Sequence, residues 1–102
     1  MKIKAKYRNE EAQKHQEVVT PPELVERIYS FLDEDDFKDK DILDPCVGPG
    51  ALIEPIIEDI RVGGNGLNAN SLTVMDIQPI HIENFIKNIK EAVKEGHPDK
   101  VK

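Results

Sequence analysis

Two aspartates and two glycines hold the positions in this sequence best suited to chemistry. Asp44, Gly48 and Gly50 lie in "ILDPCVGPGALIEP" (42 to 55), where an apolar run meets Asp-Pro and then a glycine–proline–glycine turn. Asp76 stands near the end of a second apolar run, "SLTVMDI" (71 to 77). Glycines at such a seam let the backbone turn tightly and let a ligand approach it closely. A carboxylate at Asp76 can accept hydrogen bonds from both hydroxyls of a ribose, and Ile77 beside it offers a flat apolar contact for a base. A carboxylate at Asp44 favours a cationic group and disfavours phosphate.

These residues need elements to carry them. "DILD" (41 to 44) and "SLTVMDI" (71 to 77) read as short buried strands. Between them, Leu52, Ile53, Ile56, Ile57 and Ile60 recur at helical spacing. Pro55 would remove an interior hydrogen bond from a helix beginning at Ala51, which predicts a later start or a distorted first turn. "RVGGNGLNAN" (61 to 70) reads as a loop, with Gly63, Gly64 and Gly66 as a flexible connector. Pro79 opens a last helix, with Ile82, Phe85, Ile86, Ile89 and Val93 inward and Lys87, Lys90 and Lys94 mostly outside, until "GHPDK" (96 to 100) stops it.

Upstream, "TPPELVERIYSFL" (20 to 32) predicts a helix. Thr20 and Glu23 fit a capping box, and Pro21 and Pro22 fall in the first turn, where their missing N–H groups cost nothing. Leu24, Ile28, Phe31 and Leu32 form its apolar stripe. "DEDDFKDKD" (33 to 41) reads as a solvated acidic loop. Residues 1 to 17 read as a charged arm, mobile or loosely helical, ahead of a domain spanning 18 to 102. The order helix, strand, helix, strand, helix predicts an α/β fold with parallel strands and right-handed crossovers.

Bulk properties narrow the function classes. A chain of 102 residues allows one small domain. Its 14 Lys plus Arg against 20 Asp plus Glu give a net charge of −6, poorly suited to gripping a phosphate backbone. One cysteine excludes an internal disulfide framework; Cys46 reads as a small packing residue. His15, His81 and His97 show no metal-ligand spacing. No signal peptide or membrane-length apolar run is present in the sequence, so the expected location is cytoplasmic.

In parallel sheets ligands bind at the carboxyl ends of the strands, beside the first crossover, which is where Asp44 to Gly50 falls. A dinucleotide site needs G-x-G-x-x-G, and here Ile53 replaces the third glycine. A P-loop needs a G-K-[ST], which is missing. S-adenosylmethionine fits better: its sulfonium and α-ammonium suit Asp44, and its ribose suits Asp76.

With these motifs the chain resembles the gamma-class N6-adenine DNA methyltransferases of restriction–modification type. Asp44, Pro45, Gly48 and Gly50 match the family's D-P-x-x-G-x-G, and "VVTPPELV" (18 to 25) resembles its helix start, which wraps the methionine end of the cofactor. Asp76 in "LTVMDIQP" matches its ribose-binding acid. The resemblance covers roughly residues 16 to 95. It implies a partial Rossmann-like methyltransferase fold and a cofactor site of Thr20, Pro21, Asp44, Pro45, Cys46, Gly48, Gly50, Asp76 and Ile77. It implies S-adenosylmethionine as cofactor and adenine N6 in DNA as methyl acceptor.

The sequence departs from the family at the catalytic motif and in lacking a basic target-recognition region. The catalytic [DNS]-P-P-[YFW], whose polar residue and aromatic hold a flipped adenine, is absent; the sole Pro-Pro is in "TPPE", ahead of the cofactor motif. The chain is therefore expected to be the first third of an enzyme, with no catalytic residues and no activity alone. DNA would be reached only through the complete enzyme. The expected partner is a C-terminal methyltransferase polypeptide, completing the sheet beside residues 72 to 76, or a second copy. Alternatives are a methyltransferase for RNA or protein and a non-catalytic split subunit or remnant that acts as an interaction protein.

Overall fold

Parallel pairing organises the chain. The computed structural model describes residues 1 to 7 and 20 to 100. Strand β1 (Lys2–Tyr7) precedes helix α1 (Pro22–Ser30), the short helix α2 (Glu34–Phe37) and strand β2 (Asp41–Asp44). A 3-10 turn at Ala51–Ile53 then leads into α3 (Glu54–Arg61), β3 (Ser71–Asp76), α4 (Pro79–Gly96) and a last 3-10 turn at Pro98–Lys100. The sheet has three strands in the order β1-β3-β2. Both pairings are parallel: Lys4 and Leu43 lie on either side of Thr73, and Asp44 pairs with Val74. The expected α/β class with parallel strands is present.

The core lies on one face of the sheet. Leu72 and Val74 of β3 are fully buried against Ile56, Ile57 and Ile60 of α3 and Ile82, Phe85 and Ala92 of α4. Ile3, Ala5 and Ile42 extend that face across the flanking strands. Burying a side chain of this size stabilises the fold by ~1.5–3 kcal/mol each. Alternation along the strands sends Lys4, Thr73 and Leu43 to the opposite face, where Leu43 is 58% exposed.

Several expectations change. The arm of residues 1 to 17 is partly a strand: Lys2–Tyr7 alternates Lys2, Lys4 and Lys6 with Ile3 and Ala5, a period of two hidden among charges. Residues 8 to 17 of that arm, with Val18 and Val19, lie outside the described residues. The sheet has three strands, not two, and β3 is paired on both sides, so no partner strand can add beside residues 72 to 76. Among the described residues, the edges of the sheet are β1 and β2.

The capping box at Thr20 does not form. Pro21 is the N-cap of α1, and its ring has no oxygen to accept a cap hydrogen bond, while its carbonyl accepts from Leu24 and Val25 N–H. The predicted stripe of α1 faces solvent, with Phe31 80% exposed, and Val25 is the residue that turns inward. The acidic loop contains α2, held by a capping box between Asp33 and Asp36. The glycine connector is a packed series of turns. Asp59 accepts from Leu67 N–H at 2.7 Å, His97 Nε2 lies 2.8 Å from the Gly64 carbonyl, and a Cβ at Gly64 would strike the Asp59 carboxylate. The distorted entry to α3 is as expected: a 3-10 turn ends at Ile53, and Pro55 falls within the first two α-helical positions, where its missing N–H breaks no bond.

Candidate functional site

Asp44 and Asp76 end adjacent parallel strands, and the loop that follows β2 runs between them. Cys46 N–H donates to Asp44 Oδ1 at 3.1 Å, turning the chain just past the strand. Val47 N–H then donates to the Met75 carbonyl at 2.9 Å, continuing the ladder beyond the strand end. Gly48 N–H donates to Asp76 Oδ2 at 2.8 Å, and Gln78 N–H donates to Asp76 Oδ1 at 2.8 Å. The buried Asp76 carboxylate thereby fastens the glycine seam to the end of β3 and shapes the turn into α4.

The two glycines of the seam are required by backbone angle. Gly48 has φ +51° and Gly50 has φ +94°, in the left-handed region that side chains disfavour. A Cβ at Gly48 would meet nothing within 4 Å, so open space borders the backbone there. Gly50 is buried and serves as the N-cap of the 3-10 turn that opens the α3 segment.

The electrostatics favour a cation. The half-buried Asp44 carboxyl is pushed above its usual range, first by burial and then by the charge of Asp76, against the pull of the Cys46 N–H. Tyr29 of α1 shares this field. Its phenol is pushed up to about 12 by burial and by Asp44. The Tyr29 hydroxyl donates to the Leu52 carbonyl at 2.5 Å, and its ring stacks on Phe37 with centroids 5.6 Å apart. Tyr29 lies off the predicted stripe of α1, and its signal in the sequence is the four-residue spacing from Val25.

The sequence-predicted residues thus separate into two groups. Asp44, Pro45, Cys46, Gly48, Gly50, Asp76 and Ile77 converge at the strand ends. Thr20 and Pro21 stand at the head of α1, and the next residue, Pro22, lines a cleft together with Ala51, the residue after Gly50. Pro45 and Cys46 are exposed, so Cys46 is not the packing residue its size suggested, and Ile77 is half-buried. No cluster of His, Cys, Asp or Glu suited to a metal ion occurs among the described residues. No described helix is long and apolar enough to cross a membrane. No family model, curated protein or solved structure matches the chain.

Proposed function

We propose that the chain is the S-adenosylmethionine-binding portion of an adenine-specific DNA methyltransferase, built on a Rossmann-like fold and acting in the cytoplasm. The observation that carries this reading is the meeting of Asp44 and Asp76 at the carboxyl ends of neighbouring parallel strands, beside the open backbone at Gly48. Such ends are where parallel sheets bind ligands. Asp44 would face the sulfonium and α-ammonium. Each Asp76 oxygen accepts one backbone N–H and retains a lone pair for a ribose hydroxyl. Ile77 would contact the adenine, and Thr20 and Pro21 the methionine end. The groups that hold a flipped target adenine are absent from these 102 residues, so methyl transfer to DNA would need further residues, whether in the same polypeptide or in another.

The alternative, a non-catalytic interaction protein, is favoured by the exposed stripe of α1. Calorimetric titration of the 102-residue chain separates the two. The expected result is binding of S-adenosylmethionine and none of NAD. A bound cation reverses the push on Asp44, so binding releases protons, and affinity falls as the pH drops toward the range in which Asp44 protonates. Asp44→Asn weakens S-adenosylmethionine about tenfold, the scale of one charge interaction near a protein surface, and weakens the sulfur-neutral S-adenosylhomocysteine less. A chain that melts cooperatively yet binds no S-adenosylmethionine, or takes NAD equally well, would refute the cofactor reading.

A further inference from the structure

Between α1 and α3 lies a cleft of about 680 Å³, separate from the strand-end site. Pro22, Val25 and Tyr29 supply one wall, and Ala51 and Pro55 the other. Three glutamates stand around this apolar lining: Glu26 from α1, and Glu54 and Glu58 from α3. Arg61 pairs with Glu54 and Glu58 but also with Glu95, so the rim stays negative. Asp44 and Asp76, none of them lining the cleft, add to the same sign of field nearby.

We propose that this cleft is a docking groove for a basic amphipathic helix of a partner polypeptide. The lining calls for apolar side chains, and the rim calls for Lys or Arg on either side of them. A nucleic acid would bring phosphates against three carboxylates. A metal ion is not the occupant, because these glutamates form no group able to hold one. The walls are short helices of nine and eight residues, and a third helix laid between two others is a standard way to fill such a groove. The groove also explains why α1 carries Pro22, Val25, Glu26 and Tyr29 on one side at helical spacing. The proposal does not depend on the cofactor reading.

The test uses the full chain and three fluorescent peptides of one helical pattern: Leu with Lys, Leu with Glu, and Ser with Lys. Anisotropy should show binding of the Leu/Lys peptide alone, weakened about tenfold between low and high salt, as expected for partly exposed charges. Backbone NMR shifts should cluster at Glu26, Tyr29, Ala51 and Glu58. The exposed Glu26→Lys should weaken the Leu/Lys peptide about tenfold while leaving S-adenosylmethionine binding unchanged, which separates the groove from the cofactor site. Equal binding of the Ser/Lys peptide would overturn the proposal, since it would show general attraction to an acidic protein. Shifts mapping elsewhere, or no binding by the Leu/Lys peptide, would do so as well. The NMR mapping uses the unmutated chain and stands even if the variant fails to fold.

Discussion

Asp76 does two jobs that pull on different measurements. As a ligand residue it offers lone pairs; as a structural residue it accepts two backbone N–H groups from Gly48 and Gln78. Asp76→Asn keeps one acceptor and turns an amide donor toward the other N–H. Leaving a buried donor without its acceptor costs ~1–3 kcal/mol, so urea unfolding should show that loss. Asp44→Asn should cost far less, because Asp44 is half-exposed and its carboxyl is already disfavoured as an anion. Equal midpoints for both variants would mean that Asp76 does not hold the seam. Both acids were legible in the sequence because each closes an apolar run. The bond from Asp76 to Gly48 was not, because it spans 28 positions and exists only once the two strands are in register.

At the level of elements, α1 is held by a few specific contacts more than by burial. Val25 is its one buried residue, and Tyr29 makes both its hydrogen bond to Leu52 and its stack on Phe37. Tyr29→Phe keeps the stack and removes the bond, which should destabilise the fold by about 1 kcal/mol. The pH dependence adds a second signature. The Tyr29 phenol titrates near 10 when unfolded and at about 12 in the fold, so the native state holds its proton more tightly. The stabilisation is therefore complete below pH ~10 and is lost as pH rises toward 12. Solvent screening of this half-buried group limits the loss to about 1 kcal/mol. Unfolding midpoints across that window should fall for the native chain and fall less for Tyr29→Phe; parallel curves would remove Tyr29 from this role. The existence of α1 was legible from Pro-Pro and helical spacing, but its orientation was not. Leu24, Ile28 and Phe31 look like an inward stripe, and the fold turns them out because α1 rests on the 3-10 turn ahead of α3, with Val25 buried and Tyr29 bonded to Leu52. The strand at Lys2–Tyr7 was masked for a related reason: half its side chains are lysines pointing to water.

For the molecule as a whole, the described residues cover the sheet on one side and leave the other open. Parallel sheets are ordinarily covered on both faces, whereas here α3 and α4 cover one and Leu43 stands 58% exposed on the other. The two sheet edges also differ. The β1 edge carries Lys2, Lys4 and Lys6, the charged residues that discourage strand addition. The β2 edge is four residues long and carries Asp41, Ile42, Leu43 and Asp44, with no lysine. Phe31, 80% exposed, adds a further apolar surface on α1. A net charge of −6 opposes collapse onto these surfaces but does not cover them. The chain should therefore self-associate as its concentration rises, through the apolar surfaces at Leu43 and at Phe31. Sedimentation velocity on a dilution series tests this, with the double variant Leu43→Lys and Phe31→Lys as the control. Both positions are exposed, so the variant should become monomeric while its melting transition moves little. If the unmutated chain stays monomeric throughout the series, or the variant associates as strongly, the open side is not what draws copies together.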